Sequence, residues 1–113
     1  MKKLISLFAL LAAGSFSALT WAEDASVKFL SPTDGAKLDA MAVNKVSYEV
    51  VPGPRGDHVH FYVDGKEAAI LRQLKGSYTL ETLAPGKHEL CIKVVDKGHT
   101  PIGVQQCINV TAE

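Results

Sequence analysis

Beyond residue 22 the sequence has very little sulfur and no helical signal. Only Cys91, Cys107 and Met41 carry sulfur there. No window of helical period and useful length follows residue 22, which excludes bundles and α/β folds. The two cysteines are too far apart for a Cys-x-x-Cys redox motif. There is no Gly-x-Ser-x-Gly, no glycine loop that could cradle a phosphate, and no His-Glu-x-x-His. No constellation for an enzymatic reaction is present, so an enzyme is not expected. Asp34 with Asp39, or Asp57 with Asp64, read as solvated turn residues rather than as catalytic carboxylate pairs. A net charge is missing too: 12 Lys and Arg balance 12 Asp and Glu. Lys2 and Lys3 lie in the first 22 residues, so the other 91 residues carry ten basic and twelve acidic groups, a net charge of −2. A weakly acidic body lacks the basic face that nucleic-acid binding needs. Ninety-one residues make one domain that buries roughly 60–65% of its unfolded surface, so the core is thin and a covalent staple is useful.

The first 22 residues read as an address. Met1-Lys2-Lys3 precedes an apolar run from Leu4 to Ala13, and Leu19-Thr20-Trp21-Ala22 ends on small residues at the −3 and −1 positions. This predicts a signal peptide over 1–22 cleaved after Ala22, leaving a periplasmic domain over 23–113 that meets the membrane only before cleavage. The alternative is an uncleaved anchor, since Leu4 to Ala22 is 19 uncharged residues.

The remaining chain alternates short β-branched or aromatic segments with turn signals. Strands are expected over Val27–Leu30, Val43–Val51, His58–Val63, Ala68–Leu71, Ser77–Leu83, His88–Val95 and Gly103–Val110, with a short edge piece at Ala36–Leu38. Val46, Tyr48 and Val50 share one face of their strand, Lys45, Ser47 and Glu49 the other. The Pro52-Gly53-Pro54-Arg55-Gly56-Asp57 stretch is a loop, and Asp64-Gly65 and Pro85-Gly86 mark turns. The expectation is an all-β, seven-stranded sandwich.

The last two strands can be set in register. If Leu90 faces Ile108, then Ile92 faces Gln106 and Val94 faces Val104. On the opposite face the same register sets Cys91 against Cys107. In an exported protein this pair reads as a structural disulfide, worth about 3 kcal/mol by loop-closure entropy.

Ser31-Pro32-x-Asp34-Gly35-Ala36, the segment His58-Val59-His60-Phe61-Tyr62-Val63-Asp64-Gly65-Lys66, and Leu83-Ala84-Pro85-Gly86-Lys87-His88-Glu89-Leu90 leading into Val94-Val95-Asp96 together resemble a bacterial immunoglobulin-like domain. They also resemble a family of small secreted periplasmic proteins of unknown function, with a His-rich strand start, a Pro-Gly-x-His turn and a late histidine. The resemblance covers nearly all of residues 26–111 and implies an immunoglobulin-like β-sandwich.

Four histidines remain to be placed. His58 and His60 are two apart on a strand and point to one face with Tyr62, leaving Val59, Phe61 and Val63 for the core. In an immunoglobulin-like sandwich the start of that strand lies beside the end of the strand that begins at His88, and the tip that follows carries His99. His58, His60 and His99 could therefore gather at one end near Asp57 and Asp96, with His88 roughly 20 Å away. Three imidazoles suit copper(II) or zinc(II); the bland alternative is solvated surface histidines. His88 reads as a turn-flanking residue, and Met41 as a poor candidate for copper(I). The expected function is a small periplasmic protein binding copper or zinc through His58, His60 and His99. The alternative is a metal-free structural or interaction module that docks another envelope protein.

Overall fold

The computed structural model describes residues 24–113; the signal peptide expected over 1–22 lies outside the described residues. Eight strands follow one another: β1 (Ser26–Ser31), β2 (Lys37–Leu38), β3 (Asn44–Val51), β4 (His58–Val63), β5 (Lys66–Leu71), β6 (Lys75–Leu80), β7 (Gly86–Val95) and β8 (Pro101–Ala112). They form two layers, a three-stranded sheet in the order β1-β3-β6 and a five-stranded sheet in the order β2-β8-β7-β4-β5.

Eight strands replace the seven expected because the edge piece does pair. Lys37 and Leu38 run parallel to Thr111 and Ala112 at the end of β8. Two residues carry no propensity signal of their own. The pairing is held by a row of bonds, Gly35 N–H to Asn109 O at 2.7 Å, Thr111 N–H to Ala36 O at 3.0 Å and Glu113 N–H to Leu38 O at 2.9 Å. The Asp34 carboxylate adds to it by accepting from the Asn109 N–H at 2.8 Å.

The core lies between the sheets and follows the alternation in the sequence. Val46, Tyr48 and Val50 of β3 meet Val59 and Phe61 of β4, Leu90, Ile92 and Val94 of β7, and Ile108 and Val110 of β8. The Phe61 and Tyr78 rings pack at 4.8 Å between centroids. A buried tyrosine hydroxyl needs a partner, and Tyr48 donates its own to the Gln73 carbonyl at 2.9 Å.

The β7–β8 ladder runs in the expected register from Gly86–Ala112 through Cys91–Cys107 to Lys93–Gln105, and Cys91 and Cys107 are joined by a disulfide. Beyond Lys93 it departs from expectation. Val94 does not pair with Val104; the ladder shifts and resumes at Val95–Pro101. Gly103, at φ 90°, takes the left-handed turn that lets β8 absorb the extra residues.

Candidate metal centre

The candidate site lies where β4 starts, beside the end of β7 and the tip that leads into β8. The approach to β4 is tight. A Cβ on Gly56 would lie 2.2 Å from the Pro52 carbonyl oxygen and 2.7 Å from Val94 Cγ1, so only glycine fits. The next residue docks by donating its N–H to the Val95 carbonyl at 2.8 Å. This places the Asp57 carboxylate beside His58, the first residue of the strand.

Because side chains alternate on a strand, His58 and His60 share the outer face of the five-stranded sheet, opposite Val59 and Phe61. They are not solvated: His58 is 1% exposed and His60 5%. Val95 and Lys93 of β7 lie opposite them in the ladder on one side, and Ile70 of β5 lies opposite His60 on the other.

The third imidazole comes from the tip. Asp96 organises that turn with Oδ1, which accepts from the N–H of Gly98 at 2.9 Å and of Thr100 at 3.0 Å. Its backbone N–H donates to Thr100 O, and its carbonyl accepts from the His99 N–H. Held this way, His99 sits at φ 67°, a left-handed conformation costing a non-glycine residue about 1–2 kcal/mol. Strain of this kind gathers at functional sites. Here it folds an imidazole back over β4. His99 Nδ1 lies 3.1 Å from His58 Nε2 and 3.0 Å from His60 Nε2, and the three candidate donor atoms all fall within 4.8 Å of one another.

The far sides of the two strand imidazoles are also engaged. His58 Nδ1 is 2.9 Å from Asp57 Oδ2, and His60 Nδ1 is 3.0 Å from Glu67 Oε1. A carboxylate can only accept, so both Nδ1 atoms carry a proton, and whenever the rings are neutral both Nε2 atoms present lone pairs inward. His99 Nδ1 has one proton at most and can satisfy only one of them. A buried acceptor left without a donor is costly. One cation bound to all three nitrogens satisfies every lone pair at once. The 3.0–3.1 Å separations lie close to the about 3.3 Å edge of a tetrahedron with zinc–nitrogen bonds of about 2.05 Å.

The bond that His58 donates holds the Asp57 carboxyl below the usual carboxylate range; burial opposes it, and the Arg72 and Lys97 charges add to the lowering. Arg72 Nη1 stands 3.6 Å from Asp57 Oδ2.

Two residues of the site escape a reading of the sequence, Glu67 and Arg72. Simple alternation along β5 would send Glu67 to the core side. Instead the β4–β5 register slips between Phe61 and Tyr62, so that Ala69 pairs with Phe61 but Glu67 with Tyr62. Ala68 is the extra residue of a β-bulge, a device that re-aims side chains beside functional sites. The bulge turns Glu67 to the face that carries His60. Asp96, expected near the histidines, is at the tip but serves its backbone. A second grouping, Glu89 with Cys91 and Cys107, offers no thiolate because its sulfurs form the disulfide.

His88 stands at the opposite end of β7 and makes a separate clasp. Its Nδ1 bonds Asp64 Oδ2 at 2.6 Å and its Nε2 bonds the Ala84 carbonyl at 2.7 Å. Both partners are acceptors, so the doubly protonated ring fits best. The Ala84 carbonyl, and then Asp64, raise the His88 pKa above its usual value. The bond from His88, then that from the Glu89 N–H, lower the Asp64 pKa. A raised imidazole pKa stabilises the fold fully below the ordinary histidine value of about 6.5 and loses that contribution as pH rises through the folded value. A lowered carboxyl pKa contributes above about 3.9 and is lost as pH falls through the folded value. The clasp therefore contributes most between these limits. The melting temperature should fall less between pH 5.5 and 8.5 in His88→Gln than in the wild type; equal falls would exclude the clasp.

Set against known proteins, the architecture is recognisable. The chain superposes on the fibronectin(III)-like modules of Clostridium thermocellum CbhA with a TM-score of 0.65 at 17% identity, over 77% of this chain and 96% of that one. The fold is a fibronectin(III)-like β-sandwich. The extracellular domain of B. thetaiotaomicron BT4673 matches with a TM-score of 0.58 at 16% identity, over 83% of this chain but only 16% of that one. There the likeness is to one module of a longer protein. An engineered protein matches with a TM-score of 0.57 at 18% identity, over 80% of this chain and 20% of that one. No protein family and no curated protein matches the sequence. The immunoglobulin-like β domain expected from the turn motifs is thus supported by structure, without support from any sequence relative for the small periplasmic family.

Proposed function

We propose that this protein is a small exported metal-binding module that holds copper(II) or zinc(II) on His58, His60 and His99. One observation carries the reading: three imidazole nitrogens converge, two of them on rings whose other nitrogen is already committed to a carboxylate. Carboxylate–histidine pairs of this kind fix the tautomer and aim the lone pair of a ligating imidazole. The donors are imidazoles, without thiolate or thioether, which suits zinc and copper(II) over copper(I). Asp57 and Glu67 behind the neutral rings offset the charge of a divalent ion. The disulfide supports an oxidising compartment, and the export segment read at the N-terminus supports the periplasm as that compartment.

The deciding experiment is elemental analysis of the protein isolated from its native envelope, followed by calorimetric titration of the metal-free form with each ion. One equivalent of copper or zinc, lost on substitution of His58 or His60, is the expected result. Absence of any bound or titratable metal overturns the reading. Removing the carboxylate behind His60 should weaken affinity without removing a ligand: Glu67→Gln is expected to bind about 10–100-fold less tightly. An unchanged affinity would place Glu67 outside the site.

A second reading, a metal-free module that docks another envelope protein, draws on the outer edge of β5, which no strand pairs among the described residues. Such an edge can accept an added strand. Partner capture equal in metal-free and loaded protein would favour it.

A further inference from the structure

We infer that the metal on this trio keeps one coordination position free of protein donors and that this position takes a small anion. The inference rests on the metal-binding reading above. Three donors are available among the described residues, and the neighbouring carboxylates of Asp57 and Glu67 are engaged on the far sides of the rings. Zinc and copper sites take at least a fourth ligand, and a site with three protein donors fills the remainder from outside. Burial fixes the direction of approach. His58 and His60 are closed in, at 1% and 5% exposure, whereas His99 is exposed, so the tip is the side of the trio nearest to solvent.

The rim there has a chemical character. Asp57 and Gly98, the chain neighbours of His58 and His99, line one shallow depression of ≈ 500 Å³ together with Arg55, Asp96 and Lys97. Its two carboxylates are already occupied: Asp57 by His58 and Arg72, Asp96 by the N–H groups of the tip. Arg72 is 66% exposed. The Arg55 and Lys97 cations stand at the same rim. The three histidines do not line this depression but adjoin it in the chain, and with a divalent ion on them its cations favour a negatively charged donor of a few atoms.

Azide is a suitable probe, because it binds an open copper(II) position and the complex absorbs in the near ultraviolet. Added to the copper-loaded protein, it should produce one charge-transfer band that saturates at one azide per copper. Lys97→Gln should keep full copper capacity and weaken azide binding about two- to fivefold. Full copper loading with a silent azide titration overturns the open position while leaving metal binding intact. Dimerisation on loading, seen by light scattering, also overturns it, because a second copy then fills the position. An azide affinity unchanged in Lys97→Gln removes the rim charge from the inference. Failure to take up copper at all overturns both this inference and the reading on which it rests.

Discussion

Copper(II) or zinc(II) present at one hundred times its dissociation constant should raise the melting temperature of this domain by roughly 10–20 °C, and substitution of any one of the three histidines should abolish most of that rise. The magnitude follows from linkage. A ligand that binds only the folded state at this excess adds about 2.7 kcal/mol, and a domain of this size gains roughly 4–8 °C per kcal/mol. The unfolded chain offers no competing site of the same quality, because the trio is assembled from the start of β4 and the tip after β7, some forty residues apart by sequence. His58→Gln and His60→Gln test the buried pair. Since these side chains are almost fully enclosed, either change could weaken the fold by itself. His99→Ala answers that concern, because His99 is exposed and its ring is not enclosed by the fold. A metal-induced rise that survives in His99→Ala would exclude three-histidine coordination.

The second large effect concerns the disulfide. The double variant Cys91→Ala, Cys107→Ala should lose about 3 kcal/mol of unfolding free energy, or roughly 12–24 °C of melting temperature. The bond closes a loop with a sequence separation of 16, and without it the unfolded β7–β8 segment regains its freedom. The consequence is severe because the domain is small. The total stability of a domain this size is only about 5–15 kcal/mol, and the stapled hairpin supplies Leu90, Ile92, Val94, Ile108 and Val110 to the core. Denaturant unfolding of the oxidised wild type and the alanine pair measures the difference. A loss below about 0.5 kcal/mol, within the range of ordinary surface substitutions, would mean that the hairpin is held by its ladder alone.

Much of this molecule is legible in the chain because local rules and global packing agree. The alternation at Val46, Tyr48 and Val50 became the buried face of β3. Matching Leu90 to Ile108 set the β7–β8 register and brought the cysteines opposite each other. Spacing placed His58 and His60 on one face, and topology added His99. Four things escaped, each for a physical reason. The edge piece expected at Ala36–Leu38 is β2, but its parallel pairing is with partners over seventy residues away, and two residues carry no pattern that names them. The shift after Lys93 depends on a glycine conformation that a straight ladder does not foresee. Glu67 hid behind the bulge at Ala68, since a period of two reverses its direction whenever one residue is inserted. Burial of the histidines was also not foreseeable, because the tip that covers them is placed by Asp96 and not by any apolar signal.

The parallel pairing of β2 with the end of β8 has one more consequence, for how the domain can be attached. The chain enters at Ser26, opposite Val51, at the end of the sandwich that carries the imidazoles. It leaves at Glu113, whose N–H is tied to Leu38, at the end that carries His88. A carrier fused after Glu113 therefore leaves the three-histidine end facing outward. Immobilised by its C-terminus, the domain offers that end to incoming ions and partners; immobilised at Ser26, it turns the same end towards the support.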